Sequence, residues 1–387
     1  MFFATFMEKA SFYEGLNGGN MWEIHALIML PLCSVLFEGS EFILCWVLFL
    51  GGVTVFPWYL TAIGVYFCFF KWLTSNNKRV SGPPYDSITA FKSLMMIMTI
   101  VAILAVDFQI FDRKYAKTEL YGTSLMDIGV GTFIYSGGLM FGLRHSNSLL
   151  NVIIKAIPVW FIGAIRLVSV KFLNYHEHLT EYGVHWNFFF TLGAIPVWAA
   201  ITNNLRLKSE LFGYCVGIAY QCALEFGVMD YLIKDNRETL FSKNKEGIFS
   251  CIGYLCLWIL AADISKYLNH QDYTKKVFTR LFVNSVIVLF CIYILDIQIS
   301  RRATNLPFIL WCCSVCDVYM WILQYKEIKV PNLLKKINNH QLSLFLIANL
   351  LTGAINFMFD TQNMGAVESL TILVNYCLFI TVVANSL

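Results

Sequence analysis

The sequence predicts an all-α polytopic membrane protein with about 13 transmembrane helices in a single bundle. Three observations lead there. Of the 387 residues, 58% are hydrophobic and only 14% are charged, whereas a soluble domain carries about a quarter charged residues. The apolar residues come in long runs rather than amphipathic stripes. The polar residues gather in a few short inserts between those runs. A net charge of +3 is too small to suggest a nucleic-acid partner.

A helix needs about 20 apolar residues to cross the hydrocarbon core. On that rule, spans fall near 23–38, 41–56, 58–73, 88–110, 124–142, 149–170, 186–204, 211–233, 247–262, 277–296, 305–325, 341–359 and 366–386. Pro57 separates the second span from the third, because proline cannot continue a helical hydrogen-bond ladder. An odd count puts the termini on opposite sides. The loops 74–87, 143–148, 205–210, 263–276 and 326–340 carry the excess of Lys and Arg, which assigns them to the cytosol. The N-terminus is then lumenal and the C-terminus cytosolic. No basic segment followed by an apolar core opens the chain, so the first span is expected to serve as a retained insertion signal. With no internal repeat and no low-complexity linker, residues 1–387 read as one integral membrane domain.

The 12 cysteines lie almost all within apolar runs, so no structural disulfide is expected. Cys312, Cys313 and Cys316 cluster on an expected membrane helix, which is not the setting of a zinc site.

Residues 88–142 organise the chain. Two apolar runs, Ile88–Ile110 and Ser124–Phe141, flank the polar insert Phe111–Thr123. An ionisable group within a membrane-length run is costly unless paired or wet, so Asp107, near the end of the first run, marks a functional position. Asp107 and Lys117 would lie about 15 Å apart along one straight helix. They can meet only if the chain breaks and folds back, and Asp112 is placed to cap a new turn there. A carboxylate beside an ammonium in a partly dry site suits a general base facing an alcohol, with the ammonium stabilising oxyanion charge. A helix-end ion pair that merely orients the loop is the plain alternative. The insert's Arg113, Lys114, Tyr115, Glu119 and Tyr121 are candidate substrate-binding residues.

Two further blocks are polar. In Asn174–Asn187, the residues Glu177, Glu181 and His185 are spaced four apart, so on a helix they share one face. With His178 nearby, these are metal-ligand types, but the pattern matches no strong ligand set. A polar cavity rim through Glu181, His185 and Asn187 is the favoured reading, a simple helix cap is the alternative, and no metal is assigned. In Ser300–Pro307, Arg301 and Arg302 with Asn305 sit at a membrane entry. Adjacent guanidinium forks grip phosphate, and interfacial anchoring is the alternative. Glu225, Asp230, Asp263, Asp296 and Asp317 lie in or beside apolar runs and are candidate cavity liners. Asn349 and Asn356 are expected to make interhelical hydrogen bonds.

These blocks carry a resemblance. DFQIFDRKYAKTELYGTSLMDIGVG at 107–131 resembles the signature of the GPI-anchor inositol acyltransferases, the PIG-W/Gwt-type enzymes of the endoplasmic reticulum. YHEHLTEYGVHWNFFFTL at 175–192, NKEGIFSCIGYL at 244–255, SRRATNLPFILW at 300–311 and ANLLTGAINFMFDT at 348–361 are similar to further blocks of that family, in order along nearly the whole chain. The chain departs at Asp112, where the family favours proline.

The resemblance implies transfer of a fatty acyl group, usually palmitoyl, from acyl-CoA to the 2-hydroxyl of inositol in glucosaminyl-phosphatidylinositol. It implies an endoplasmic reticulum membrane enzyme whose essential acid and lysine correspond to Asp107 and Lys117. Acyl-CoA enters as a co-substrate, and no tightly bound cofactor is expected. Expected partners are the two substrates and membrane lipid, with no obligate protein partner. Arg113, Lys114, Arg301 and Arg302 are expected to meet CoA or lipid phosphate, and Glu181, His185 and Asn187 the sugar and inositol hydroxyls. The rival reading is a glycolipid flippase of the same membrane, which would use intramembrane acids and basic rims equally well. A second enzymatic rival is the other membrane-bound O-acyltransferase superfamily, which relies on an intramembrane His and Asn.

Overall fold

The computed structural model describes residues 15–35, 40–55, 60–66, 84–144, 148–172, 179–204, 209–234, 236–325 and 330–387. The helices in chain order are α1 (Met21–Ser34), α2 (Ser40–Thr54), α3 (Pro84–Ala105), α4 (Leu125–Leu143), α5 (Leu149–Phe172), α6 (Leu179–Tyr182), α7 (Phe188–Asn204) and α8 (Glu210–Ala223). A π-turn, Leu224–Val228, leads to α9 (Met229–Ile233). There follow α10 (Leu240–Lys243), α11 (Lys245–Ile264), α12 (Tyr273–Tyr293), α13 (Leu306–Tyr325), α14 (Asn332–Asn339), α15 (Gln341–Met358) and α16 (Ala366–Ser386).

Among the described residues, 9 helices are long and apolar enough to cross a membrane, with shorter apolar helices at Met21–Leu32, Ile43–Thr54 and Phe188–Thr202. The polytopic all-α class is borne out. The expected third span is helical at 60–66; Pro57 and residues 67–83 lie outside the described residues.

Several boundaries move for physical reasons. The span expected to reach 110 stops at Ala105. Past it the N–H of Asp107 bonds Leu104 and that of Phe108 bonds Ala105, both i→i−3 turns. Arg113 takes the carbonyls of Val106 and Phe108, so those carbonyls are satisfied without a further α-helical turn. The span expected to reach 296 ends at Tyr293, and Asp296 adopts φ 54° in the turn beyond it. The continuous helix expected over 211–233 is interrupted by the π-turn, where Gly227 has φ 112°.

The chain forms two compact units. One comprises the chain through Lys117, Thr123–Gly129 and Val318–Leu387. Its centre is α3, which is mostly apolar and largely buried. Ser87 Oγ donates to Leu323 O at 3.1 Å, and Ser93 Oγ donates to Leu334 O at 2.6 Å. Tyr376 of α16 donates to Ile100 O at 3.3 Å. Where lipid tails are as apolar as leucine, such bonds and close packing hold helices together rather than the hydrophobic effect.

The other unit comprises Thr118–Gly122 and Val130–Asp317. Its centre is α11, packed by α7 and α8. Arg280 of α12 is fully buried. Its Nε lies 2.6 Å from Glu210 Oε1 of α8, and its Nη1 3.7 Å from Asp317 Oδ2. The same guanidinium lies 3.6 Å from Asp263 Oδ2 of α11 and donates to Leu260 O. Tyr135 of α4 donates to Asp317 Oδ1 at 2.5 Å. Asp263 and Asp317 were expected as cavity liners; they are instead charges neutralised within an ion cluster. By contrast α5 turns most of its apolar side chains outward, as a lipid-facing helix must.

Candidate functional site

The end of α3 builds the first candidate site. Once the helix stops at Ala105, the chain runs through tight turns to a 3₁₀ turn at Arg113–Tyr115. Asp112 caps that turn: its carboxylate accepts the N–H of Lys114 at 3.1 Å. The cap anticipated for Asp112 is therefore present, and so is the chain break that the Asp107–Lys117 reading requires. Both of these residues are half-buried.

Asn356 in the last turn of α15 donates through Nδ2 to Asp107 Oδ2 at 2.7 Å. Thr361 donates to Asn356 Oδ1 at 3.1 Å. The bond expected between helices runs, for Asn356, from α15 to the turn past the end of α3, and Asn349 bonds Phe345 O within its own helix.

Arg113 is engaged by its own loop. Its Nη2 donates to Val106 O at 2.8 Å and Phe108 O at 3.1 Å, and its Nε donates to Phe111 O at 3.1 Å. The guanidinium lies over the Phe111 ring, 5.4 Å from its centroid. The planar fork gathers three loop carbonyls, two of them on either side of Asp107. A lysine could not do this.

Lys114 is also committed. Its Nζ sits 2.7 Å from Glu23 Oε2 and 3.2 Å from Asp112 Oδ2, and 5.0 Å from the Tyr115 ring centroid. Burial opposes its charge, but the bond to Glu23, then Tyr115 and Asp112, carry its pKa above the usual lysine value. Burial pushes the Tyr115 hydroxyl up to about 12, Lys114 working against the shift and Glu23 adding to it. Lys114 and Tyr115 thus secure the chain at Glu23 at the start of α1.

In the other unit, the rest of the insert meets the loop before α13. Gly122 N bonds Ile299 O at 2.9 Å, Ser300 Oγ bonds Leu120 O at 2.6 Å, and Arg301 Nη2 bonds Thr118 O at 3.1 Å. Arg301 lies 3.6 Å from Glu181. Arg302 donates to Leu232 O and pairs with Glu246 at 3.2 Å, where Arg237 also binds. Only 9% of Arg301 and 8% of Arg302 is exposed. These forks pair with the half-buried Glu181 and the buried Glu246 and satisfy loop carbonyls.

Asn305 and Asn187, expected at substrate, are helix caps. Asn305 Oδ1 accepts from Ser300 N and Phe308 N, and its Nδ2 donates to Gln298 O. Asn187 Oδ1 accepts from Phe189 N at 3.0 Å while its Nδ2 ties to Gly163 O of α5 at 2.9 Å. First-turn N–H groups lack intrahelical partners, and asparagine supplies the acceptor.

Glu181 and His185 do not share a helical face. Helix α6 is only Leu179–Tyr182, and Gly183 with φ 102° ends it. The backbone N–H of His185 bonds Asn244 Oδ1 at 2.8 Å. Glu177 and His178 lie outside the described residues. Glu119 is exposed, and Tyr121 is half-buried. Burial raises the Tyr121 pKa, with the charges of Glu225 and Asp230 adding to it.

Sequence reading missed Thr361 and Arg280. Thr361 stands five positions after Asn356 in the block ANLLTGAINFMFDT, a spacing that straddles a helix end. Arg280 carried the plainer signal, a guanidinium inside a membrane-length run.

Comparison with known proteins agrees with the resemblance read from the blocks. The GWT1 family model matches residues 7–387. GPI-anchored wall transfer protein 1 of Emericella nidulans is 31% identical over 469 aligned positions, covering 98% of this chain and 96% of that protein. The protein of the same name from Candida albicans is 36% identical over 359 positions, covering 78% and 74%. That from Yarrowia lipolytica is 35% identical over 336 positions, covering 75% and 70%. The chain belongs to the GWT1 family.

Proposed function

We propose that this protein acts in GPI-anchor biosynthesis as an acyl-CoA-dependent O-acyltransferase. The acyl group, palmitoyl in the simplest case, goes to the 2-hydroxyl of inositol in glucosaminyl-phosphatidylinositol. The observation that carries the reading is the break after Ala105. It sets the half-buried carboxylate of Asp107 on a loop fixed by Arg113 and Asn356, at the edge of a membrane helix.

Asp107 takes the proton of the inositol hydroxyl as its oxygen attacks the thioester carbonyl. The ammonium of Lys117 stabilises the oxyanion that develops. Collapse breaks the C–S bond, leaves the inositol ester, and releases CoA thiolate, which takes the proton from Asp107 and restores the carboxylate. No protein nucleophile and no metal enters this sequence. Apolar helices hold the acyl chain in contact with the bilayer. The membrane is that of the endoplasmic reticulum, with the N-terminus lumenal and the C-terminus cytosolic, following the Lys/Arg bias of the loops.

The test uses purified protein in detergent with acyl-CoA and glucosaminyl-phosphatidylinositol. The proposal predicts a product resistant to a phospholipase C that cleaves through the inositol 2-hydroxyl, because acylation removes that nucleophile. A transporter forms no product without a sealed compartment, so absence of product in detergent would contradict the proposal.

A further inference from the structure

Asp107 is approached both from its own loop and from α15. From its own loop, Arg113 holds the carbonyls of Val106 and Phe108, the residues on either side of it. From α15, Asn356 Nδ2 holds Oδ2. An asparagine amide can present either its NH₂ or its oxygen, and an oxygen facing a carboxylate would be repulsive. The carboxylate, an acceptor only, takes the NH₂; the Thr361 hydroxyl, on a residue 2% exposed, then donates to Asn356 Oδ1 and holds the amide in that orientation.

We propose that Asn356 is a positioning residue for Asp107 and that Thr361 holds its amide in place. The inference rests on the reading of Asp107 as the base in the acyl transfer. A general base works only when its oxygen is held within hydrogen-bond reach of the proton it takes. A small misplacement costs large factors in rate. The Thr361–Asn356 pair removes rotational freedom from the Asp107 carboxyl before substrate arrives. The competing role is a bond that only pins α15 to the loop after α3.

The experiment measures kcat, KM for both substrates and the thermal midpoint of the purified full-length protein in detergent. Asn356→Leu keeps the shape and removes the donor. Its kcat is expected to fall on the order of tenfold to a hundredfold, the worth of one hydrogen bond to a charged group, with KM unchanged for both substrates. Thr361→Val is expected to lower kcat by a smaller factor, and Thr361→Ser to restore it. The double variant Asp107→Asn/Asn356→Asp keeps a donor–acceptor pair with the roles exchanged. It is expected to regain the midpoint lost in Asn356→Leu while remaining inactive.

Parental kcat in Asn356→Leu, or a loss that appears as raised KM, overturns the proposal. Activity in the double variant overturns it too. Should Asn356→Leu fail to fold, the Thr361 variants decide: equal kcat in Thr361→Val and the parent refutes the positioning role. Asp107→Asn alone separates the two layers. If it turns over like the parent, the base assignment itself is wrong; if it is inactive while Asn356→Leu is unimpaired, only the positioning role falls.

Discussion

Asn356 donates a 2.7 Å hydrogen bond to Asp107 across 249 positions of sequence. The carboxylate proposed as the base is thereby held by a helix near the other end of the chain, as well as by its own loop. Such a bond is made only in the folded protein, so side-chain geometry at Asp107 depends on α15 being in place.

Arg113 makes the complementary prediction for the backbone. Arg113→Lys keeps the charge but cannot reach three carbonyls with one fork. With about 1 kcal/mol at stake per lost bond, kcat should fall on the order of tenfold with little change in KM, and further in Arg113→Ala. Steady-state kinetics on both variants check this. Parental kcat in Arg113→Lys would mean that the loop holds without these bonds.

Arg280 should matter for stability rather than turnover. Arg280→Met leaves Asp317 buried without its cation and strips a partner from Glu210. Removing one member of a buried pair costs about 3–5 kcal/mol. A marked drop in thermal midpoint in detergent is expected, partly recovered in Arg280→Met/Asp317→Leu. An unchanged midpoint would show that the cluster is dispensable.

Gly183 tests the turn that ends α6. Its φ of 102° disfavours any side chain, and an added Cβ would lie 2.7 Å from Asn244 Cα. Gly183→Ala should cost about 1–3 kcal/mol, read as a lower midpoint and as faster hydrogen exchange at Val184, whose N–H bonds Lys243 O. Parental exchange would contradict it.

Tyr115 gives a pH prediction with a definite sign. An unfolded tyrosine titrates near about 10, and burial, opposed by Lys114 and reinforced by Glu23, raises Tyr115 to about 12. A raised pKa favours the protonated form in the folded state. The stabilisation is therefore complete below the unfolded value and is lost as pH rises through the folded one. The tyrosinate absorbance difference between parent and Tyr115→Phe should develop near the upper value. A difference that develops at the ordinary tyrosine value would show the hydroxyl to be solvated.

Much of this was legible in the residues. Long apolar runs fixed the helical membrane class, and the charge density of Phe111–Thr123 showed where a run must break. Asp112 could be read as a cap because a short acceptor before a new turn has few other uses. What stayed hidden were the partners. Arg113, Arg301 and Arg302 looked like phosphate ligands because a guanidinium fork matches phosphate, yet it matches loop carbonyls and buried carboxylates equally well. Asn187 and Asn305 serve as caps; a cap was the alternative weighed for the block holding Asn187, and nothing in the spacing pointed to it for Asn305. The face expected for Glu181 and His185 failed at Gly183, where one left-handed residue ended a helix that the four-residue spacing had assumed.

The central claim is that the Asp107 carboxylate removes the inositol proton. The most direct measurement is turnover of acyl-CoA and glucosaminyl-phosphatidylinositol by detergent-purified Asp107→Asn, confirmed folded by a midpoint close to the parent's. The account predicts binding of both substrates with no acylated product above background, and the same loss for Lys117→Met. Parental turnover by folded Asp107→Asn would contradict it.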